Sequence, residues 1–522
     1  MGRMAKEFLI GTDIGTSGTK SILVDLEGRI VASFLVEYGI ITPQALWAEQ
    51  WPKVWLNAVK KTIRKIMDNS GVEPDKVAGI CISGLYGGSG VPCDADMNPV
   101  RPCIIWMDRR AEEECRWLQD RIGLDRILEI TGNGIDPYFG YTKILWIKNN
   151  EPENWTKIQQ FLPPNAYVIN KLTGKTAIDY SSAGNLGGIY DMRKHCWSED
   201  LMKEMGIPSS IMPQKMVDPC DITGELSKSA AEELGLLAGT PVCAGTIDCL
   251  AATLSAGVTE SGQHVAVLGT SLNWGLVHEE FPMDKSLVTM PYAKDPKTKF
   301  YTYGGASTAG ALPRWFRDNF AELEKLSESS GEGSAYAALD ESCKNILPGS
   351  DGLLILPYFM GERSPIWDSN ARGTILGLTL YHSKAHVYRA ILESVAYSLR
   401  HIMESFQGGV QPGGECTLVG GAAKSSVWKQ IFADVTGLSI ICPKRDVEAP
   451  LGDAFLAGMG TGVLKDYSEI KSWVEFGERV MPNRENHQIY TEYFEQYKKL
   501  YPVLSGSMKQ LAETAVKYKN HN

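Results

Sequence analysis

The chain has 522 residues, more than one hydrophobic core usually serves, so we expect two domains. Hydrophobic residues form 43% of the sequence and charged residues 22%, which is typical of a soluble protein with an ample core. The formal net charge of -10 disfavours a surface for nucleic acid or for an anionic membrane, although a local patch can still bind one phosphorylated ligand.

The sequence predicts a cytoplasmic location. Asp13 interrupts the first apolar run, and we identify no secretory or membrane-spanning segment. The eleven cysteines lack Cys-x-x-Cys spacing, so we expect reduced, mostly buried thiols and no zinc site. His382 and His386 are spaced like a metal-binding pair on a helix, but no third ligand lies near them in the sequence, and we predict no metal there.

The first predicted element is a β-hairpin whose tip is suited to an anion. An apolar run ends at Asp13, passes through small and hydroxyl residues that include Thr16 and Ser17, and returns as a second apolar run. The tip glycines allow close backbone approach, and its amides and hydroxyls are donors that fit a phosphate. Because a carboxylate beside a polyphosphate is repulsive, Asp13 indicates hydrated Mg²⁺ between them. Taken alone, the stretch would more often be an ordinary glycine-rich hairpin, and it is not a Walker A loop.

A mixed sheet with a crossover helix is predicted from the elements that follow. Residues 30–37 and 77–83 are strand-like, and residues 51–67 form an amphipathic helix, which gives the order β-β-β-α-β. Residues 86–90 then form a loop too rich in glycine to be regular, and such a loop can line a pocket.

Three residues of the next segment are candidate substrate contacts. Trp106 is suited to cover the apolar face of a sugar and Asp108 to accept from its hydroxyls, while a core tryptophan and a helix-capping aspartate fit equally well. Tyr138 lies at the start of a further predicted helix, where its side chain either lines a pocket or packs in the core. The sequence alone does not decide among these interpretations.

A second candidate acid appears after residues 163–239, which mix turns and short helices and are predicted to be insertions around a sheet. A strand near residues 241–245 leads into Asp248 at the start of a helix of small residues. Backbone amides at a helix start keep a carboxylate ionised, so Asp248 is suited to acid-base chemistry.

The opening theme returns in the second half of the chain. Residues 263–268 are strand-like, and Gly269, Thr270 and Ser271 form another hydroxyl-bearing hairpin tip. We interpret this as a degenerate internal repeat in which two similar domains each present a phosphate-touching turn, with chance similarity as the alternative. A cleft between the halves would then hold a triphosphate from both sides and exclude water on closing.

The remaining predicted elements include a glycine turn suited to a nucleotide. In chain order they are a glycine-rich segment at 304–310 containing Gly310, a helix at 384–406, a strand at 416–419, a turn and helix at 420–428, a helix starting at 448–454 and a tail helix at 490–500. Gly420 and Gly421 leave a backbone surface without side chains, just before Ser425, against which a nucleobase or ribose can lie flat.

At this point the chain resembles the FGGY family of carbohydrate kinases, within the sugar kinase, Hsp70 and actin superfamily. Residues 373–378 and 386–393 fit the second family signature at every constrained position. The first signature is matched at Lys143, Ile144, Trp146, Ile147, Asn149 and Asn150. Gly140, however, stands where the family has Pro, Ser or Thr. The resemblance is collinear from residue 8 to about residue 460.

The resemblance implies an α/β fold of two RNase H-like domains of the actin/hexokinase type with an interdomain catalytic cleft. The N-terminal domain, residues 1–257, would bind sugar and carry the catalytic base, and the C-terminal domain, residues 258–522, would bind the nucleotide. The implied activity is transfer of the γ-phosphoryl group of ATP, with Mg²⁺, to a sugar hydroxyl. Its partners would be a small sugar and ATP, with no nucleic acid or membrane, and a homodimer is kept as an option.

Residue roles follow from the same resemblance. Asp13 resembles the acid that holds Mg²⁺ through water, and Asp248 resembles the general base. The other candidates are, for the phosphate turns, Thr16, Ser17, Gly269, Thr270 and Ser271; for the adenosine wall, Gly310, Gly420, Gly421 and Ser425; and for the substrate, Tyr86, Gly87, Gly88, Trp106, Asp108 and Tyr138.

The chain departs from the family at residues 86–89, which read Tyr-Gly-Gly-Ser. Xylulose kinases have Gln-Met-His-Gly there and glycerol kinases Gln-Arg-Glu-Thr, so charged and imidazole contacts to substrate hydroxyls are missing. We predict a ketose acceptor similar to xylulose, with glycerol or another polyol as the alternative. An actin- or Hsp70-like ATPase would need a partner-binding segment that we do not identify, and a non-catalytic sugar sensor is disfavoured because both acids are present.

Overall fold

The computed structural model of the protein describes residues 6–85, 88–281 and 283–519, and it has a mixed α/β architecture. Its strands are β1 Phe8–Ile14, β2 Gly18–Asp25, β3 Ile30–Glu37, β4 Glu49–Gln50, β5 Val77–Gly84, β6 Val91–Cys93, β7 Cys103–Ile104, β8 Gln160–Leu162, β9 Ile178–Asp179, β10 Tyr190–Asp191, β11 Cys196–Trp197, β12 Met216–Val217, β13 Ile222–Glu225, β14 Pro241–Cys243, β15 His264–Leu268, β16 Leu272–His278, β17 Val288–Pro291, β18 Phe300–Ala306, β19 Leu354–Leu356, β20 Thr374–Leu376, β21 Glu415–Gly420 and β22 Ser439–Ile441.

The α-helices are α1 Pro52–Ser70, α2 Glu112–Arg121, α3 Leu124–Thr131, α4 Gly140–Asn150, α5 Pro152–Trp155, α6 Pro164–Thr173, α7 Tyr180–Asn185, α8 Glu199–Met205, α9 Lys228–Leu234, α10 Asp248–Ser255, α11 Ala311–Phe320, α12 Glu322–Ser329, α13 Ala335–Cys343, α14 Lys384–Ser405, α15 Ser426–Thr436, α16 Ala449–Thr461, α17 Ile470–Trp473 and α18 Arg484–Lys519.

The first six-stranded sheet has the strand order β13-β14-β5-β1-β2-β3. Strands β1, β2 and β3 pair antiparallel, whereas β5 joins β1 and β14 joins β5 in parallel. Helix α1 crosses from β3 to β5, packs on β2 and β3, and buries one face that includes Trp55, Val59, Ile63 and Ile66. This is the predicted β-β-β-α-β arrangement, with the two-residue strand β4 added before α1.

The second six-stranded sheet has the order β17-β18-β16-β15-β21-β22. Here β15, β16 and β18 pair antiparallel, and β21 joins β15 and β22 joins β21 in parallel. The two sheets therefore share one topology, apart from an extra edge strand in each, which is β13 in the first and β17 in the second. The repeat that the two hairpin tips suggested extends over five strands.

Helix α16 belongs to the second half of the chain but packs against β1 and β5 of the first sheet and against α10. The approach is close enough to require glycine: a Cβ at Gly11 would lie 1.8 Å from the carbonyl oxygen of Pro450, and one at Gly452 would lie 2.0 Å from that of Ala251. The helix thus brings its N-terminal residues to the end of β1, where Asp13 lies.

Helix α18 is longer than the predicted tail helix and closes the core of the second half of the chain. It packs on α15, and Tyr490, Phe494 and Tyr497 are buried in the same cluster as the second sheet. Within the described residues, no helix combines the length and apolarity that crossing a membrane requires. All eleven cysteines lie within the described residues. They are unpaired and mostly buried, as predicted.

Candidate active site

A cavity of about 440 Å³ is lined by residues from both halves of the chain. Those from the first half include Asp13, Thr16, Trp106, Tyr138 and Asp248, and those from the second include Val267, Asn273, Tyr303, Arg363 and Glu448. A larger cavity, of about 580 Å³ beside His195, shares none of these residues. Five of the predicted site residues therefore meet in one cavity.

Asp13 lies near the end of β1, directly opposite Lys20 in the hairpin register. Its Oδ1 is 3.3 Å from the hydroxyl of Ser83, at the end of the neighbouring strand β5. Burial and the nearby carboxylate of Asp248 raise the pKa of Asp13 well above its usual range. A carboxylate in these surroundings gains from a cation, since a positive charge offsets both effects.

Asp248 is the first residue of α10, as the sequence predicted. Its Oδ1 accepts a hydrogen bond of 2.6 Å from the amide of Cys249. Burial raises the pKa of Asp248 to about 6, and the hydrogen bond from the Cys249 amide acts in the opposite direction. The group is therefore ionised at neutral pH while being more basic than an ordinary aspartate.

A third acid, Asp453 on α16, was not among the predicted site residues. Its side chain is fully buried, and its Oδ2 accepts a hydrogen bond of 2.7 Å from Ser83, so that Ser83 joins it to Asp13. Burial and the carboxylate of Asp13 raise the pKa of Asp453 well above its usual range. One carboxyl within the otherwise apolar residues 449–457 was the available signal, because such a group is rarely buried without a partner.

Glu448 and Lys20 form an ion pair between the residue preceding α16 and the first hairpin. The pair spans 428 positions of sequence and places Glu448 at the cavity beside Asp13. In the sequence, Glu448 is predicted only as part of a helix start, because no local pattern identifies its distant partner.

The two predicted aromatic contacts both line the cavity. The indole Nε1 of Trp106 donates to Thr16 Oγ1 at 2.9 Å, which places the ring beside the first hairpin tip. The hydroxyl of Tyr138 forms a hydrogen bond with that of Tyr303, on β18 of the second sheet. The tyrosine pair thus links the two halves of the chain at the cavity wall.

The glycine-rich loop is described only in part, because Tyr86 and Gly87 lie outside the described residues. Gly88 has φ 71°, and a Cβ there would lie 2.1 Å from the backbone nitrogen of Gly140. A Cβ at Gly140 would in turn lie 3.2 Å from Gly88 Cα. The two departures from the family pattern therefore touch each other, next to the loop that carries Tyr138.

Asp108 is not among the residues that line the cavity. Its side chain is almost fully buried, accepts a hydrogen bond of 2.5 Å from the amide of Ala48, and forms an ion pair of 2.8 Å with Arg110. This geometry favours the structural interpretation of Asp108 over a contact to sugar hydroxyls.

The predicted nucleotide residues converge at the end of β15. The amides of Gly310 and Ala311 donate to the carbonyl oxygens of Gly269 and Thr270, which holds the second turn against α11. Gly420 has φ 99°, and a Cβ there would lie 2.2 Å from the carbonyl oxygen of Leu268. Glycine is required at this crossing, and it leaves exposed backbone beside the turn.

The predicted residues around the two turns differ in exposure. Ser17 and Thr270 are exposed, whereas Thr16 and Ser271 are half-buried, and Gly421 follows Gly420 in the open. Ser425 caps α15, where its Oγ accepts a hydrogen bond of 3.0 Å from the amide of Trp428. Exposed hydroxyls and amides at both tips can donate to an anion.

Comparison with known proteins gives matches over most of the chain. The model described as "FGGY family of carbohydrate kinases, N-terminal domain" matches residues 8–255, and the corresponding C-terminal domain matches residues 264–461. A xylulose kinase of Bacillus subtilis is 31% identical over 496 residues, covering 95% of this chain and 97% of the relative. A gluconokinase of Bacillus licheniformis is 27% identical over 519 residues, covering 97% and 98%.

Solved structures of similar proteins cover nearly the whole chain. A ligand-bound xylulose kinase from Lactobacillus acidophilus has a TM-score of 0.88 at 26% identity, covering 97% of this chain and 99% of the other. A gluconate kinase from the same organism has a TM-score of 0.86 at 25% identity, with the same coverage. The predicted two-domain α/β fold is confirmed by these similarities.

Proposed function

The chain belongs to the FGGY family of carbohydrate kinases, and from that premise we propose which of its residues transfer the γ-phosphoryl group of ATP and which acceptor they take. The protein is a kinase that phosphorylates a carbohydrate hydroxyl with ATP. We propose that the acceptor is a ketopentose of the xylulose type. The observation that carries the proposed transfer site is that Asp13 and Asp248 face one cavity together with Val267 and Asn273, which flank the second turn.

Asp248 is proposed as the general base. It accepts the proton of the acceptor hydroxyl as that oxygen forms a bond to the γ-phosphorus and the bond from phosphorus to the bridging oxygen of ADP breaks. A pKa of about 6 for Asp248 suits this role, because the group is ionised at neutral pH yet holds a proton more firmly than an exposed aspartate. The turns at Thr16 and Thr270 supply donors to the phosphates, so the protein mainly positions the reactants.

Asp13 is proposed to hold Mg²⁺ through water. Within the described residues, no group of three or more acidic, histidine or cysteine side chains could enclose a metal ion. Mg²⁺ suits the site nevertheless, because it keeps most of its water and needs one or two carboxylates besides the substrate phosphates. When bound, the ion neutralises phosphate charge, and Ser83 fixes the Asp13 carboxylate that would face it.

The shape of the cavity supports a sugar with an apolar face. Trp106 and Tyr138 provide flat aromatic walls. Relatives named xylulose kinase support the ketopentose, and relatives named gluconokinase make gluconate the acceptor to compare it with.

A panel of acceptors tests this proposal. ADP release is measured with xylulose, ribulose, gluconate, glycerol and no sugar, for the wild type and for Asp248→Asn. We expect release that depends on a ketopentose in the wild type and is lost in the variant. Release that ignores sugars would instead indicate an actin- or Hsp70-like ATPase, and preference for glycerol would indicate a polyol kinase.

The same premise supports three further proposals. We place the domain boundary between residues 257 and 258, with α16 of the second domain reaching across to the first sheet. The need for ATP, together with the unpaired cysteines, supports a location of the protein in the cytoplasm, a reducing compartment. A homodimer is the oligomeric state to check by light scattering in solution.

A further inference from the structure

Arg363 brings a guanidinium to the lining of the cavity. Its Nη2 donates to Asn273 Oδ1 at 3.2 Å and to the carbonyl oxygen of Ala306 at 3.3 Å, and both acceptors are neutral. In the part of the chain that the structure describes, Arg363 forms no ion pair with a carboxylate, whereas Lys20, the cation beside Asp13, is paired with Glu448. A half-buried arginine in this state has positive charge available for a ligand.

The segment that carries Arg363 is held firmly. The buried side chain of Glu362 accepts hydrogen bonds from the amides of Ser307 at 2.7 Å and Arg363 at 2.8 Å. The backbones of Glu362 and Asp368 exchange two hydrogen bonds of 2.9 and 3.0 Å. Tyr501 on α18 donates to Asp368 Oδ2 at 2.6 Å. The guanidinium is therefore positioned before any ligand arrives, which is what electrostatic catalysis requires.

The second sheet provides a place for this guanidinium. A Cβ at Gly305 would lie 2.5 Å from Arg363 Nη2, so glycine is what admits the group. Asn273, which faces Gly305 across the β16–β18 pair, lies two residues beyond Ser271 of the second turn. Tyr303 lies two residues from Gly305 on the same strand. Arg363 thus lies between the second turn and the tyrosine pair that links the halves.

The charges across the cavity explain why a cation is needed there. Asp13, Asp248 and Glu448 line the cavity, and the phosphates of ATP add further negative charge. In phosphoryl transfer, charge spreads over the equatorial oxygens of the moving group, and an arginine that meets them can contribute a factor of about 10³ or more to kcat.

We propose that Arg363 is a catalytic residue that contacts the γ-phosphoryl group during its transfer from ATP to the acceptor oxygen, which leaves ADP. The inference rests on the proposed function, because it assumes that the cavity holds both reactants. It adds a cation from the second half of the chain to the two acids of the first half. The competing assignment for the same charge is recognition of a carboxylate on a sugar acid.

The test compares Arg363→Gln and Arg363→Lys with Arg372→Gln, whose guanidinium donates to the backbone carbonyls of Ser369 and Ala371. We expect Arg363→Gln to lower kcat at least 100-fold with KM for the neutral sugar changed less than threefold (roughly the loss for one transition-state donor). Its affinity for ADP alone should stay the same, while its affinity for ADP with aluminium fluoride should fall in parallel with kcat. Added guanidinium should restore part of kcat in Arg363→Gln, and Arg372→Gln should behave as the wild type.

Two outcomes would overturn the assignment. If Arg363→Gln loses activity on gluconate alone, the guanidinium binds the carboxylate of the acceptor. If the substitution lowers the melting temperature and all affinities alike, the role of Arg363 is structural. Failure of the proposed function looks different, because the wild type would then show no sugar-dependent ADP release. Even then, equal binding of ADP with aluminium fluoride by wild type and Arg363→Gln would refute the contact, and a selective loss in the variant would support it.

Discussion

The two hairpins share one backbone arrangement, but the first carries charged side chains near its tip and the second carries neutral ones. In the first, the second pair from the tip is Asp13 opposite Lys20, and in the second the corresponding pair is Val267 opposite Asn273. Both tips end in turns with amides and hydroxyls, so each can touch a phosphate. The repeat therefore preserves the backbone that can bind an anion, while an acid occupies this hairpin position only in the first hairpin.

The asymmetry extends to the elements that follow each sheet. After β14 the chain places Asp248 at the start of α10, and after β22 it places α16, whose Asp453 turns back to Ser83 beside Asp13. The second half also contributes Arg363, on a segment fixed by Glu362. A kinase needs such a division, because the nucleophile requires a base while the transferring phosphoryl group requires positive charge.

The largest effect is expected from Asp248→Asn, which removes the base while keeping the size of the side chain. We expect kcat to fall by about 10³-fold or more, since a positioned base and its orienting contact are lost together. Binding of ATP, measured by calorimetry, should stay within a few-fold of the wild type. Asp120→Asn, an exposed acid on α2, is the control. A kcat for Asp248→Asn close to that of the control would remove Asp248 from the mechanism.

The second prediction makes the first hairpin like the second. Asp13→Val introduces the residue that the second hairpin has at this place, so we expect the fold to be kept and kcat to fall roughly 100-fold. The dependence of the remaining rate on Mg²⁺ concentration should become weaker, because the proposed anchor for the hydrated ion is gone. A melting temperature near that of the wild type checks the fold. Unchanged dependence on Mg²⁺ would show that the ion is held elsewhere.

The features that could be predicted from the sequence are those encoded in consecutive residues. Both hairpin tips, α10 and its Asp248 were predictable, because strand length, glycine turns and a helix start are written in consecutive residues. The family resemblance added the type of fold to the two domains that length and the repeated hairpin predicted, and the similar structures confirm it. The residue roles at Asp13 and Asp248 stay predictions, with one shared cavity in their support.

The remaining parts of the site depend on contacts between distant residues. Ser83 and Asp453 are 370 positions apart, and Arg363 is 90 positions from Asn273. No local pattern reports such a pairing. Asp108 shows the same limit, because its motif fitted a sugar contact and a structural carboxylate equally. Its burial and the hydrogen bond from the Ala48 amide, 60 positions away, favour the structural interpretation.

The third prediction uses the pKa of about 6 for Asp248, which burial raises. A base must be deprotonated to act, so kcat/KM should be level above about pH 7 and should fall tenfold per unit as the pH drops well below 6. The measurement is the sugar-dependent rate from pH 4.5 to 8 at saturating Mg²⁺. Asp248→Asn should show no break near pH 6, and a break that persists in this variant would assign the titration to another group.

The smallest effect is expected from the reciprocal change, Val267→Asp, which gives the second hairpin an acid of its own. Val267 lines the cavity beside Asn273, so a carboxylate there adds negative charge next to the phosphates without removing Asp13, Asp248 or Arg363. We expect KM for ATP to rise about tenfold, because the repulsion between like charges in a partly buried site weakens binding by about this factor. Val267→Asn, of equal size and without charge, is the matched control. If the two variants bind ATP equally well, then charge at the second turn is unimportant, and the restriction of the acid to the first hairpin needs another explanation.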